Sequence, residues 1–301
     1  MSKLFILCGL ASSGKSTIGK AINKFYDNSN YISSDEIRAE LSYYEDKSRN
    51  DEVFKIFHKR IRDSLNADII TIADATNITM KSRHQIIDIA KRIPNVEIVC
   101  VLMATPWEAC VARDTGREHE VGDEVIIKQL KKFQIPFYEE GFDDIVIVRT
   151  MPQSFNLNGY LTNLLYKMDK FDQETPYHKH NLFVHSMKTT HKFTDNNVYL
   201  DLYDGALLHD LGKLSTKTFD DTGVAHYYSH ENVGAYEYFI GRIYEEPFWD
   251  IKDVLDNTFL INYHMMPFNW KEPKTVEKYK KIFGEEKTEM LIFFNECDRN
   301  S

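Results

Sequence analysis

An open α/β domain followed by a mainly α-helical domain is the fold class that this chain predicts, and three observations carry it. Short apolar runs alternate with helix-spaced segments over residues 1–150, which implies a parallel sheet covered on both faces. After that point the alternation stops, and apolar residues recur only at helical spacing. The composition changes at the same place. Residues 1–150 hold 21 Lys and Arg against 23 Asp and Glu, residues 151–301 hold 16 against 23, and eight of the eleven histidines lie in the second stretch.

Taken in order, Lys3–Cys8 is a short apolar run bounded by Gly9, the mark of a buried strand, and residues 15–26 read as the helix after it. Tyr31–Ser34 is a second strand, with a helix beginning near Asp35. Over residues 51–66, Phe54, Phe57, Ile61 and Leu65 fall at i, i+3, i+7 and i+11, one face of a helix. Ile69–Ala73 and Val96–Met103 are strands rich in β-branched residues, separated by a helix around 80–92, and Ile145–Val148 is the last strand. Beyond it, Leu161, Leu164, Leu165 and Met168, and later Val254, Leu255, Phe259 and Ile261, keep helical spacing. Arg149–Asn158 holds Pro152 and several polar residues, so the boundary is expected there, giving domains of 1–152 and 153–301.

Composition excludes several classes. The longest apolar run, Leu4–Leu10, is far short of the roughly 20 residues of a membrane span, and no cleavage site follows it. The expected setting is therefore cytoplasmic with no membrane partner, the host cytoplasm if the chain is phage-encoded. Cys8, Cys100, Cys110 and Cys297 form no C-x-x-C pair, against a disulfide scaffold or a zinc ribbon. The formal charge of −9 argues against tight binding to an extended duplex through many phosphate contacts, while leaving a few nucleotides at a strand end compatible.

The strongest motif is Gly9-Leu-Ala-Ser-Ser-Gly14-Lys15-Ser16-Thr17, a complete G-x-x-x-x-G-K-[ST] between a predicted strand and a predicted helix. Backbone N–H groups around Ser12 and Ser13 and the helix N-terminus suit the phosphates of ATP or another NTP. Lys15 is expected to reach the β- and γ-phosphates, and Ser16 to ligate Mg²⁺. Downstream, Asp35 and Arg38 are spaced to share one helix face. Asp35 suits a general base for an attacking hydroxyl and Arg38 a clamp on an acceptor phosphate, although the Ser-Asp-Glu context equally suits a helix N-cap. Asp74-Ala-Thr-Asn77 ends an apolar strand, where ligands of open α/β sheets collect. Asp74 suits either the water shell of Mg²⁺ or the orientation of the acceptor, and with it Thr76, Asn77 and, on the next helix, Arg83 are the candidate acceptor contacts. Arg113-Asp-Thr-Gly-Arg117 is a polar, Gly-containing stretch suited to a lid carrying Arg113 and Arg117.

The ordered set GLASSGKST, SSDEIR, ADATN, RDTGR and FQIPFYEEGFDDIVIV resembles the P-loop domain of phage-type polynucleotide 5′-kinases over residues 1–150. The resemblance implies a base at Asp35, a phosphate contact at Arg38 and lid contacts at Arg113 and Arg117.

The second half carries His185, the doublet His209-Asp210 in Leu-Leu-His-Asp-Leu-Gly-Lys213, then His230-Glu231 ahead of Gly234, His264, and Asp298. Imidazoles and carboxylates suit Mn, Fe, Co, Ni, Zn or Mg, and a helical bundle can gather distant ligands. This arrangement resembles the HD phosphohydrolase superfamily over residues 178–298. The resemblance implies His185, His209, Asp210 and Asp298 around one divalent metal, His230 and His264 beside a second, and Asp210 bridging if two bind, with Lys213 near phosphate. Asp220-Asp-Thr-Gly223 is better read as a turn than as a phosphatase nucleophile motif.

A chain that both adds and removes phosphate avoids futility if it treats two different ends of a broken strand. The expectation is a bifunctional end-healing enzyme similar to polynucleotide kinase–phosphatases. It would phosphorylate a 5′-hydroxyl with ATP and remove a 3′-phosphate or 2′,3′-cyclic phosphate from RNA or DNA ends, with RNA favoured and a separate ligase to follow. Two other readings stand beside it: a nucleoside or small-metabolite kinase fused to a nucleotide phosphohydrolase, and a nucleotide-switch regulator with an HD sensing module.

Overall fold

The structure is a computed structural model describing residues 2–41, 49–117, 119–150, 157–174, 180–195, 197–245 and 250–301. Residues 151–156 of the expected boundary, and His178 at the head of the 178–298 stretch, lie outside the described residues. The chain divides into two compact units, Met1–Gln129 with Glu140–Pro152, and Leu130–Glu139 with Gln153–Ser301.

In the first unit, β1 (Ser2–Cys8), β2 (Ser29–Ser33), β3 (Ile70–Asp74), β4 (Val96–Ala104) and β5 (Asp144–Arg149) form one sheet in the order β2-β3-β1-β4-β5, every pair parallel. The connections are helical: α1 (Lys15–Phe25), α2 (Ser34–Glu40), α3 (Asn50–Asn66), α4 (Met80–Ala90), α5 (Trp107–Asp114) and α6 (Asp123–Leu130). The strands are apolar along their length because helices cover them. Phe5, Leu7, Ile72, Val99, Val101 and Met103 build a core against which Ile18 and Ile22 of α1 pack. β1 lies at the centre, and the chain winds to one side of it before crossing to the other. Such a reversal leaves a crevice at the carboxyl ends of the strands. The register sets Asp74 opposite both Leu7 of β1 and Ser33 of β2, so these strand ends meet beside the Gly9 loop.

The second unit is mainly helical: α7 (Tyr160–Asp169), α8 (Leu182–Thr194), α9 (Tyr203–Leu207), α10 (Lys213–Thr216), α11 (His230–Glu245), α12 (Ile251–Tyr263), α13 (Pro273–Phe283) and α14 (Glu285–Arg299). A two-residue hairpin, β6 (Thr218–Phe219) with β7 (Ala225–His226), interrupts them. Its turn is the Asp220–Gly223 stretch, where Asp220 Oδ1 accepts from the Thr222 and Val224 backbone N–H groups at 2.9 and 3.0 Å. The expected turn is what is found. Leu161, Met168, Leu182, Leu208, Leu211, Ala235, Tyr238 and Ile261 form the core. No described helix is long and apolar enough to cross a membrane.

The sequence reading runs the first domain without a break to residue 152, whereas Leu130–Glu139 groups with the second unit. The reason is aromatic. Phe133 meets Tyr236 edge-on at 4.9 Å, and Phe137 sits among Phe259, Tyr263 and Phe283 at 5.0–6.0 Å. Asn262 secures the backbone between them, accepting from Ile135 N–H at 2.7 Å and donating to the Phe133 carbonyl at 3.1 Å.

Arg83 corrects an expectation. It is not an acceptor contact but a fully buried residue of α4 whose guanidinium forks onto Glu140, Nη2 to Oε1 at 2.6 Å and Nε to Oε2 at 2.9 Å. A further N–H reaches the Asn77 carbonyl at 3.2 Å. Asn77 is corrected for a related reason. Its buried amide donates to the Leu7 carbonyl at 2.8 Å, fastening the loop after β3 to β1 instead of facing an acceptor. Breaking the Arg83 pair leaves a buried carboxylate without its cation, so Arg83→Ala is expected to cost about 3–5 kcal/mol in urea unfolding. Replacing both Arg83 and Glu140 by apolar residues of similar volume should cost less than either single change. Unchanged stability with a weakened acceptor KM would restore Arg83 to the substrate.

Candidate active sites

The phosphate loop is shaped by what its backbone must avoid. A Cβ on Gly9 would lie 2.8 Å from Met103 Cβ, so no other residue lets β1 turn so tightly over β4. Gly14 stands at φ +97°, the left-handed region open to glycine, and delivers the chain into α1. Ser13 is wholly buried, and its carbonyl accepts from the hydroxyls of Thr105 and Thr150, each at 3.0 Å. Gln129 holds the Ala11 N–H at 2.7 Å. Lys15 is folded inward, its Nζ 2.6 Å from the Leu10 carbonyl. Burial pulls its pKa below the ordinary lysine value, while the charges of Asp74 and Asp35 oppose that fall. Ser16 and Thr17 stand exposed on the first turn of α1, and Thr76 is half-buried, its carbonyl accepting from Gly9 N–H at 2.9 Å.

Ser33, not Asp35, caps α2: its hydroxyl accepts from Glu36 N–H at 3.3 Å. Asp35 is thereby left free of capping, with a carboxylate 73% exposed and 3.9 Å from Arg38 Nε. Arg38 is itself steadied by Asn50, Nη1 to Oδ1 at 2.7 Å. Asp74 is buried at the end of β3 and accepts from the Tyr31 hydroxyl, whose pKa burial and the Asp74 charge drive upward.

The arginines of the lid stretch are organised by a residue the sequence reading passed over. Asp114 is buried; its Oδ1 accepts from Ser12 Oγ at 2.8 Å, and its Oδ2 from the Val121 and Gly122 N–H groups at 2.9 Å each. Burial alone would raise its pKa, but those N–H groups and the Ser12 hydroxyl outweigh burial and hold it down. Arg117 Nη1 donates to Ser12 Oγ at 2.8 Å, whereas Arg113 turns to the Thr150 carbonyl. Asp114 sits inside the quoted RDTGR motif, so a carboxylate between two arginines was the available signal. Thr105 and Thr150, polar residues just past two apolar strands, gave a fainter one.

The second unit gathers its residues from separate helices around Asp210. His185 comes from α8 and Asp298 from α14; His209 and Asp210 follow α9; His230 opens α11 and His264 caps α12. On one side, His185 Nε2 lies 3.0 Å from Asp298 Oδ1 and 3.6 Å from Asp210 Oδ2, and His209 Nε2 lies 3.3 Å from each carboxylate. On the other side, Asp210 Oδ1 is 3.1 Å from His230 Nε2 and 3.8 Å from His264 Nε2. Lys213 Nζ contacts Asp210 Oδ2 at 2.7 Å and Gln173 Oε1 at 3.0 Å, so its charge is directed at the shared carboxylate. Close packing enforces this meeting. A Cβ on Gly212 would fall 2.0 Å from the His230 carbonyl, and one on Gly234 would fall 2.8 Å from Gly212 N.

Whether a cation fits can be judged from the protons. His209, His230 and His264 each set Nδ1 2.8 Å from a backbone carbonyl, of Ala206, Tyr227 and Ile261 in turn. A carbonyl only accepts, so each Nδ1 carries hydrogen and Nε2 is the nitrogen each ring turns inward, a lone pair for a cation wherever that nitrogen is unprotonated. His230 and His264 then face each other, Nε2 to Nε2, at 3.3 Å. His209 Nε2 and Asp298 Oδ1 are both buried and lie 3.3 Å apart. Burial disfavours a charged His209, yet Asp210 and Asp298 lift its pKa to about 10; His264 is held by burial to about 3. The donor set of His185, His209 and Asp210, and that of Asp210, His230 and His264, each keep their ligand atoms within 4.8 Å of one another. Both sets fit a divalent metal, with Asp210 common to the two.

Residues 4–136 match a family model of the AAA domain. An L-seryl-tRNA(Sec) kinase of Methanococcus maripaludis is 27% identical over 186 residues, covering 58% of this chain and 72% of that protein. Among solved structures, a sugar kinase from Janibacter sp. aligns with TM-score 0.39 and 14% identity, over 50% of this chain and 86% of that one. A fungal RNA kinase aligns with TM-score 0.40 and 14% identity, over 56% of this chain and 44% of that one. The first unit is thus a parallel α/β domain with a phosphate-loop motif, and it carries the match to the AAA-domain model.

Proposed function

We propose that the chain is a bifunctional enzyme of nucleic-acid ends, a 5′-hydroxyl kinase in its first unit and a metal-dependent phosphohydrolase in its second. The observation that carries the hydrolytic half is the buried carboxylate of Asp210 standing between two sets of inward-facing imidazole nitrogens. The kinase half is supported by an uncapped, exposed Asp35 beside Arg38, on the helix that follows the phosphate loop and β2. That a relative is named for an L-seryl-tRNA substrate supports a nucleic acid as the carrier of the acceptor.

In the first unit, the loop N–H groups and Lys15 would hold the triphosphate of ATP, and Ser16 with Asp74 would hold Mg²⁺. As the attacking oxygen bonds to the γ-phosphorus, its proton passes to the Asp35 carboxylate and the bond to ADP breaks. Arg38 would orient the acceptor, while Arg113 and Arg117 would supply counter-charge to the transferring group. In the second unit, His185, His209, Asp210 and Asp298 would hold one divalent cation, and Asp210, His230 and His264 another. Such cations polarise a phosphoryl oxygen and make hydroxide available at neutral pH. The protein's own part is to fix the His209, His230 and His264 rings through their Nδ1–H bonds, so that Nε2 is the atom presented. The substrates proposed are a 3′-phosphate or a 2′,3′-cyclic phosphate, on RNA in preference to DNA.

End analysis tests the reading directly. An oligonucleotide with 5′-OH and 2′,3′-cyclic phosphate ends, given ATP and Mn²⁺, is expected to leave with a 5′-phosphate and a 3′-OH. Label appearing on nucleosides or sugars alone would sink the polynucleotide half, and an untouched cyclic end would sink the other. Lys15→Ala or Asp35→Asn should lower 5′ phosphorylation by about 10²–10⁴-fold and spare 3′ hydrolysis. His209→Ala or Asp210→Asn should do the reverse. Metal binding also has a readout without turnover. Adding Mn²⁺ or Zn²⁺ to EDTA-stripped protein at about 100 times Kd should stabilise it by about 2.7 kcal/mol in unfolding experiments, and Asp210→Asn should remove that gain.

A further inference from the structure

Beside the Asp210 cluster lies a cavity of about 300 Å³ whose described lining includes His185, Asp210, His230 and Asp298 together with the aromatic residues Tyr228 and Phe268. Nothing in the hydrolytic chemistry calls for those rings. Tyr228 is 70% exposed, an unusual position for a large ring beside a buried polar centre. It is also ordered by its neighbours. The His226 ring stacks on it, with centroids 5.5 Å apart and planes 6° from parallel. His226 is in turn held by Asp220, Nε2 to Oδ2 at 2.9 Å, and Asp220 is locked by the hydrogen bonds of the β6–β7 turn. The hairpin therefore presents a pre-aligned pair of rings, one face of Tyr228 covered by His226. Phe268 stands 38% exposed on the same cavity, in the turn Met266–Asn269 that follows His264.

We infer that Tyr228 is a stacking platform for the base of the terminal nucleotide whose sugar carries the scissile phosphate, and that it makes the second unit selective for nucleotide ends over other phosphate esters. The inference rests on the proposed hydrolysis of strand ends and names how that site would know its substrate. A flat ring backed by a second ring welcomes any base through its π-face and reads no sequence, as an enzyme of broken ends requires. Lys213 and the ligand cluster at the floor of the same cavity take the phosphate, so one substrate spans charged floor and aromatic rim.

The test uses the full chain with Mn²⁺ and two short 5′-phosphorylated single strands, one ending in a 3′-phosphorylated nucleotide, the other in a 3′-phosphorylated abasic residue. The wild type is expected to favour the base-bearing end by about tenfold in kcat/KM. Tyr228→Ala should erase that preference by raising KM on the base-bearing end alone, leaving the abasic rate unchanged, and Tyr228→Trp should restore it. The same preference in wild type and Tyr228→Ala would overturn the platform. Anisotropy binding of both strands in EDTA reads it without turnover. A base-dependent affinity lost in Tyr228→Ala, with no phosphate released under any condition, would keep the platform and remove the phosphatase reading.

Discussion

The second unit depends on keeping the Asp210 carboxylate in its interior, 3% exposed, among imidazoles that must not all be charged. A lone ionised carboxylate there would cost several kcal/mol. Lys213 answers one part of its charge, and the remainder is managed by orientation. His209, His230 and His264 use the same local device: each Nδ1–H bonds the carbonyl three residues earlier. For His209 and His264 these are carbonyls in the last turn of α9 and α12, where the helical ladder runs out and acceptors stand unclaimed. The ends of helices thus supply both the bend that brings ligands together and the hydrogen bond that aims them. Gly212 and Gly234 let the two backbones touch, without which His209 and His230 could not address one carboxylate from opposite sides.

The first unit solves a related problem with opposite means. Its loop must leave N–H groups open to anions, so its other bonds are satisfied from outside. Thr105 and Thr150 cover the Ser13 carbonyl, Gln129 covers Ala11, and Asn77 ties β1 to the loop after β3. Asp114 joins Ser12 to the Val121–Gly122 segment ahead of α6 through three acceptor contacts, and Arg117 donates to the same Ser12 hydroxyl. Under the proposed function, an anion arriving at the loop would compete with these internal partners, and Lys15 would leave the Leu10 carbonyl to meet it. The loop and the stretch after α5 are therefore coupled by chemistry at Ser12.

Much of this was legible in the residues. The alternating apolar runs located all five parallel strands, because a sheet buried on both faces must be continuously apolar. The phosphate loop and the order of the histidine cluster were visible because such chemistry tolerates few residue types. Tertiary pairing is not written in local pattern. Arg83 looked like an acceptor contact because a lone arginine after a strand-end motif is polar, and its partner Glu140 lies 57 positions away. Phe133 and Phe137 looked like part of the first domain because chain order said so, although their rings found a core elsewhere. Asp114 was hidden by its arginine neighbours. Local pattern names an element; it does not name the distant group that neutralises a charge.

The acidic balance can now be weighed by location. Several of the 46 acidic residues are spent internally: Glu140 on Arg83, Asp114 on N–H groups and Ser12, Asp210 on Lys213 and imidazoles. Such charges act at contact distance and contribute little field at the surface. A net −9 would weigh heavily against a partner bound along many phosphates, since that affinity is a sum of long-range ionic contacts. A strand end held by one stacked base and one phosphate depends instead on forces that fade within a Debye length of about 8 Å. Under the proposed reading, the acidity of the chain and its nucleic-acid partner are consistent, because the enzyme needs the terminus and gains nothing from gripping the polymer behind it.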